Sequence, residues 1–326
     1  MKKILVVDFG SQYTQLIARR LRELSVYSEV CPWDEIPKLN DVEGFILSGG
    51  PESSNIEGNP TIDSSIFEAK KPILGICYGM QVLAHQESGK IINEGKKEFG
   101  YAKIDVKESA VLFKNINQSC DVWMSHGDKV ETLPDGYVVA ATSNNSPIAA
   151  YENISKNYFG LQFHPEVTHT ENGTLIIKNF IDICGIEQNW TSTDILQQID
   201  SFVKEEIKGD EVLLALSGGV DSTVLAAVLH RTLGEKLTCV MVDHGLLRKN
   251  EAKDVINSLQ EKIGLTVKLV NAQDTFISKL EGISEPEQKR KIIGNTFIEV
   301  FESESKKLNN IEWLAQGPIY PDVIES

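Results

Sequence analysis

Lys71-Pro-Ile-Leu-Gly-Ile-Cys-Tyr-Gly-Met-Gln81 sets one cysteine between two glycines, where one hydrophobic pattern gives way to another. Pro72 to Ile76 is an uncharged apolar run of the kind a strand buried on both faces requires. Tyr78 to Ser88, with Met80, Val82, Leu83 and Ala84, reads as a helix. Cys77 therefore falls on a strand-to-helix turn, and Gly75 and Gly79 supply the small flanks that a sharp reversal needs. Open main-chain N–H groups and the dipole at a helix N-terminus favour an anion, which suits a thiolate nucleophile. A lone cysteine in an apolar segment also fits an inert core position, so the rest of the chain has to decide.

Two segments supply what a nucleophile needs. Gly160-Leu-Gln-Phe-His-Pro-Glu166 ends a short strand with His164 and Glu166 two residues apart, on one side of an extended chain, as a base and its orienting carboxylate would be. Leu47-Ser-Gly-Gly-Pro51 ends another strand in Gly49 and Gly50, whose N–H groups could hold an oxyanion. The set resembles the class I glutamine amidotransferases, whose Cys-His-Glu triad hydrolyses glutamine to glutamate and ammonia. The resemblance implies Cys77, His164 and Glu166 as the triad, with Gly49, Gly50, Tyr78, Gln81, Ser125 and Asp128 around the glutamine. His126, in Met124-Ser-His-Gly-Asp128, reads either as a second base or as a structural hydrogen-bonder in a turn; the resemblance leaves it outside the triad.

The chain has 326 residues, 41% hydrophobic, enough for two domains with cores of their own. A net charge of −15 and a pI near 4.9 oppose general attraction to nucleic acid or an anionic membrane. Five scattered cysteines without a C-x-x-C pair suit a reducing compartment and unpaired thiols. Only four apolar residues separate Lys3 from Asp8, and no apolar stretch approaches membrane-spanning length, so a soluble cytoplasmic protein is expected. His164-x-Glu166 also matches half of a zinc-deaminase signature, but the P-C-x-x-C partner is missing and the histidines form no ligand cluster, with or without His169.

Along the chain, Ile4 to Val7, Val30, Gly44 to Leu47 and Ile73 to Ile76 read as strands with helices between, an open sheet of flavodoxin-like type. Shorter strand-like pieces follow at 102–106, 137–141, 148–151 and 158–163, and a helix over 174–184 closes a first domain spanning residues 1–189. The region 190–326 begins with a helix that Ser192 or Thr193 can cap. The strand Glu211 to Leu216 then runs into Ser217-Gly-Gly-Val-Asp-Ser-Thr223, followed by a helix over Val224 to Leu233 and a strand over Leu237 to Val242. The glycines allow main-chain N–H groups to close round a phosphate, with Ser217, Ser222 and Thr223 adding hydroxyls. Asp221 would repel that phosphate unless a cation bridges them, which implies Mg²⁺. A helix cap is the plain alternative, and the Gly-Lys-Ser/Thr of a Walker loop is absent.

This loop resembles the pyrophosphatase loop of enzymes that adenylate a carbonyl oxygen before an amine displaces AMP. The resemblance implies a doubly wound parallel-sheet domain of the adenine nucleotide α-hydrolase type. ATP would lie on Ser217, Gly218, Gly219, Val220, Asp221, Ser222, Thr223 and Val242, with Mg²⁺ on Asp221. A triad amidotransferase joined to such a loop is similar to the GMP synthase family, ligases that use ATP and glutamine to aminate xanthosine monophosphate. Val242-Asp-His-Gly-Leu-Leu-Arg248, Glu285 to Gly294, Ala315-Gln-Gly317 and Tyr320 to Ser326 carry that likeness. His244 and Pro318 depart from it, standing where Asn and Thr are usual. Arg248 reads as the substrate's phosphate ligand or as a solvated arginine. The likeness further implies a homodimer and a sequence continuing past Ser326, so this chain is expected to lack the dimerisation domain and to retain only the glutaminase half and the ATP loop. Another ammonia-dependent adenylating ligase and a non-catalytic nucleotide-binding interaction protein are the rival readings.

Overall fold

A computed structural model of the chain describes residues 1–52, 58–93, 98–308 and 311–317. It forms two compact units that meet in sequence at Thr191 and Ser192. Trp190 explains why the first unit runs past residue 189. Its ring is buried and lies 5.7 Å from Tyr27, and its main-chain N–H donates to the Ser25 carbonyl at 2.8 Å.

The first unit opens with β1 (Lys3–Asp8), α1 (Thr14–Glu23), β2 (Ser28–Pro32) and β3 (Val42–Leu47). Next come α2 (Ser64–Glu68), β4 (Ile73–Ile76), α3 (Tyr78–Gln86), β5 (Lys90–Ile92), β6 (Glu98–Val106) and β7 (Ser119–His126). It ends with β8 (Lys129–Thr132), β9 (Val138–Ser143), β10 (Ala150–Asn153), β11 (Tyr158–Leu161) and α4 (Gly173–Cys184). The main sheet has the order β2-β1-β3-β4-β11-β10-β9-β6-β7; its first five strands are parallel and the remainder antiparallel. Ile4 to Val7 are wholly buried, as central parallel strands require, because one core with α1 and α4 covers one face and another with α2 and α3 covers the other. Each such Leu, Ile or Val contributes roughly 1.5–3 kcal/mol by leaving water.

The antiparallel end departs from the expected pieces. β6 starts at Glu98 rather than at Ala102, and β7 is a strand that the hydrophobic pattern does not announce. In β7 the inward positions are Cys120, Val122, Met124 and His126, a weak strand signal, and His126 ends a strand rather than sitting in a turn.

The second unit contains α5 (Ser192–Ile207), β12 (Glu211–Leu216), α6 (Val220–Leu233), β13 (Leu237–Asp243) and α7 (Glu251–Ile263). It continues with β14 (Val267–Asn271), α8 (Gln273–Leu280), α9 (Pro286–Ser305) and β15 (Ile311–Ala315). The sheet is parallel throughout, in the order β14-β13-β12-β15. The chain moves outward from β12 to β14 and returns to the other side of β12. That places a topological switch point at the carboxyl end of β12, where ligands of such sheets bind. α6 begins at Val220, not at Val224, since extended Gly219 caps it and accepts from the Thr223 hydroxyl at 2.8 Å. The open turn is therefore Ser217 to Gly219, and Asp221 to Thr223 form the first helical turn.

Candidate active site

Cys77 joins β4 to α3 with φ 51° and ψ −106°, a conformation that costs a non-glycine residue of order 1–3 kcal/mol. Its surroundings impose that geometry. The Cys77 N–H donates to the Leu161 carbonyl at 2.7 Å, and the Gly79 N–H to the Ser48 carbonyl at 2.9 Å. Gly79 has to be glycine because a Cβ there would lie 2.4 Å from the Leu47 oxygen. The turn thus places Cys77, a residue only 5% exposed, against a cavity of about 320 Å³.

His164 follows β11 and is buried, with its Nδ1 2.7 Å from Oε1 of the fully buried Glu166. The Cys77 sulfur acts on it from nearby. Burial opposes a charge on His164, but the Glu166 carboxylate and the adjoining sulfur outweigh burial and hold its pKa well above the usual histidine range. The segment is tied at three further points. Arg20 Nε donates to the Glu166 carbonyl at 2.9 Å, the Thr170 hydroxyl to the His164 carbonyl at 2.6 Å, and the His164 N–H to the Trp123 carbonyl at 3.0 Å. The sequence carries no signal for Arg20 or Thr170, since both act through main-chain atoms.

The cavity gathers Gly50, Cys77, Tyr78, Gln81, Ser125, His126 and Asp128. Gly49 lies beneath the base, where an added Cβ would stand 3.3 Å from His164 Cε1. Ser48, fully buried, shapes this loop, its hydroxyl accepting from the Phe9 N–H at 3.0 Å and donating to the Gly49 carbonyl at 2.8 Å. The Ser125 carbonyl lies 3.4 Å from the Cys77 sulfur. Asn93, which no motif marks in the sequence, donates to the Asp128 carboxylate at 2.7 Å and lines the cavity. His126 turns away from the reaction: its Nδ1 is 3.0 Å from the Asp128 carbonyl and its Nε2 3.2 Å from Glu98. Burial lowers its pKa against the pull of Glu98.

In the second unit the Ser217 turn is exposed and satisfies itself. Ser217 and Ser222 hydroxyls lie 3.0 Å apart, the Ser217 N–H donates to Ser222 Oγ at 3.3 Å, and Gly218 adopts φ 82°. Asp221 is exposed in the first turn of α6, and among the described residues no group of three His, Cys, Asp or Glu could hold a metal. Its carboxylate and the neighbouring hydroxyls are hard oxygen donors, a set that fits Mg²⁺ when phosphate oxygens complete the shell. Val242 is buried in β13, and Arg248 is exposed beside a separate cavity of about 330 Å³ with Asp243, Lys249 and Gln273. His244 serves the loop, Nδ1 accepting from the Leu246 N–H at 3.2 Å. Pro318 and the segment Tyr320 to Ser326 lie outside the described residues.

Comparison with known proteins matches residues 5–184 to the family described as glutamine amidotransferase class-I and residues 191–292 to the PP-loop domain. Over its whole length the chain is 51% identical to GMP synthase [glutamine-hydrolyzing] of Aliivibrio fischeri and 50% identical to that of Vibrio vulnificus. It spans 64% of the length of each. Among solved structures, a Thermoplasma acidophilum protein provisionally described as belonging to a GMP synthase is similar at 32% identity and a TM-score of 0.51, covering 61% of this chain and 98% of its own.

Proposed function

From the premise that the chain belongs to the class-I glutamine amidotransferase family and continues into a PP-loop domain, we propose that it is the glutaminase and ATP-pyrophosphatase part of a GMP synthase. The observation that carries the first half is the buried Cys77, His164 and Glu166 array, of which Cys77 lines the cavity. Cys77 gives its proton to His164 and attacks the carboxamide carbon of glutamine. The oxyanion is taken up by the N–H groups of the Gly49-Gly50 loop, and His164 returns the proton to the departing nitrogen, so ammonia leaves and a γ-glutamyl thioester remains. Water activated by His164 then releases glutamate and restores the thiol. Glu166 keeps the imidazole oriented and stabilises its charged form. Tyr78, Gln81, Ser125 and Asp128 bound the glutamine.

In the second half, the Ser217 to Gly219 turn and the first turn of α6 hold the ATP phosphates, the N–H groups and hydroxyls donating to phosphate oxygens. Mg²⁺, held in part by Asp221, would neutralise phosphate charge. Arg248 is assigned to the phosphate of xanthosine monophosphate as a guanidinium fork. In the whole protein, which this reading makes a cytoplasmic homodimer, the adenylated intermediate is aminated by the ammonia that Cys77 releases.

The test supplies glutamine, ATP, Mg²⁺ and xanthosine monophosphate and quantifies glutamate, AMP and GMP separately. Glutamate release that disappears in Cys77→Ala, with AMP formation in the whole protein that depends on xanthosine monophosphate, is the expected result. AMP formation driven instead by a different acceptor would assign the chain to another ammonia-dependent adenylating ligase.

A further inference from the structure

Gln162 is the last residue before the Phe163-His164 step, is fully buried, and has no part in the triad. Its amide stands between Gln81 and the nucleophile: Gln81 Nε2 is 3.3 Å from Gln162 Oε1, and Gln162 Nε2 is 4.0 Å from Cys77 Sγ. The orientation of both amides is fixed by chemistry. Gln81 Nε2 lies 2.7 Å from the Asp128 carbonyl, which can only accept, so this end of Gln81 has to be the NH₂ group. Turning Gln162 over would set two NH₂ groups against each other and lose the hydrogen bond from Gln81, at residues only 3% and 0% exposed. The Gln162 N–H is therefore aimed at the sulfur.

The sulfur has three polar neighbours with opposing preferences. The Ser125 carbonyl at 3.4 Å accepts from a thiol S–H and so favours the protonated form. An N–H from Gln162 favours the thiolate, because a buried donor bonds a charge more strongly than a neutral thiol. His164, backed by Glu166 and sensing His126 electrostatically, takes the proton. When it moves, the S–H bond breaks, its electron pair stays on sulfur, and the hydrogen bond to Ser125 is lost.

We propose that Gln162 is a further catalytic residue, an amide donor locked onto Cys77 by Gln81 and the Asp128 carbonyl, which stabilises the thiolate once its proton has passed to His164. The proposal deepens the glutaminase reading and rests on it. The relay also joins the floor of the glutamine cavity to the nucleophile, so a change at Asp128 or Gln81 reaches the sulfur without touching it.

The experiment follows alkylation of Cys77 by iodoacetamide from acid to alkaline pH, with the modified peptide quantified by mass. Gln162→Met keeps about the same volume and removes the donor. Its profile is expected to move to higher pH, with alkylation at neutral pH and glutamate release each falling about ten- to a hundredfold, as expected for loss of a hydrogen bond to a charged group. Gln162→Glu still accepts from Gln81 but sets a carboxylate toward the sulfur, and its displacement is expected to be larger. An alkylation profile in either folded variant that superimposes on that of the unsubstituted protein overturns the proposal; if Gln162→Met does not fold, Gln162→Glu decides alone. Failure of the underlying glutaminase reading is seen separately, as glutamate release that survives Cys77→Ala.

Discussion

The chain makes the same local construction twice, a buried strand running through a glycine-flanked turn into a helix, with opposite solutions. At Cys77 the turn is strained, enclosed, and pinned by hydrogen bonds that its N–H groups donate to β11 and to the loop after β3. At Ser217 it is exposed, and the N–H groups of Ser217 and Gly219 are occupied by the hydroxyls of Ser222 and Ser217. A nucleophile has to be aimed before the substrate arrives, whereas a phosphate cradle can remain satisfied by its own side chains until an anion displaces them. The first arrangement depends on the whole sheet around it, the second on a few residues and a ligand.

The largest expected effect separates the two turns by function. Cys77→Ala abolishes glutamate release while leaving Mg-ATP binding by calorimetry unchanged. His164→Ala loses at least about 10²–10⁴ of the same activity, and a loss under about tenfold would mean another base. Next in size is a stability contrast. Gly79→Ala drives a methyl to 2.4 Å from the Leu47 oxygen, an overpacking worth about 1–3 kcal/mol or more, and lowers the melting temperature by several degrees. Gly219→Ala meets only the Ser217 hydroxyl, at 3.4 Å, and should leave the melting temperature nearly unchanged. Equal losses would erase the distinction between an imposed turn and an open one.

Asp221→Ala comes third, with Mg-ATP affinity down about tenfold, or about 1.4 kcal/mol, and a weakened metal dependence. Unchanged affinity would reduce the turn to a helix cap. The smallest effect concerns pH. His164, whose pKa is raised, contributes stability that is complete below the ordinary histidine value and is lost as pH rises through its folded-state value. His126, whose pKa is lowered, works the other way. The unfolded chain takes up its proton first, so stability declines as pH falls below about 6.5, the ordinary histidine value. Urea unfolding of His126→Gln between neutral and mildly acid pH should show a shallower loss than the parent, and an unaltered slope would count against the burial that opposes its charge.

What the sequence makes legible follows the same division. The uniform apolar runs at Ile4 to Val7 and Ile73 to Ile76 and the glycines beside Cys77 point to a doubly covered sheet because parallel strands and sharp turns permit few other residues. β7 escapes the pattern because its buried positions are Cys120, Val122, Met124 and His126, only one of them a strong strand former. The hydrophobic pattern places the start of α6 four residues late because Val-Asp-Ser-Thr reads equally as loop until its hydroxyls are seen to bond Gly219. Gln162 stands two residues before His164 in plain view. Its meaning comes only from which end of each amide faces which neighbour, and a single chain of letters does not carry that.

The positive φ at Cys77 makes position 77 a place where fitness and robustness pull apart. Glycine is the residue that this backbone prefers, so Cys77→Gly should melt above Cys77→Ala even though both lose the sulfur. A lineage released from the need to hydrolyse glutamine would gain stability by repairing that one residue, whereas a lineage that keeps the cysteine sustains the strain by selection alone.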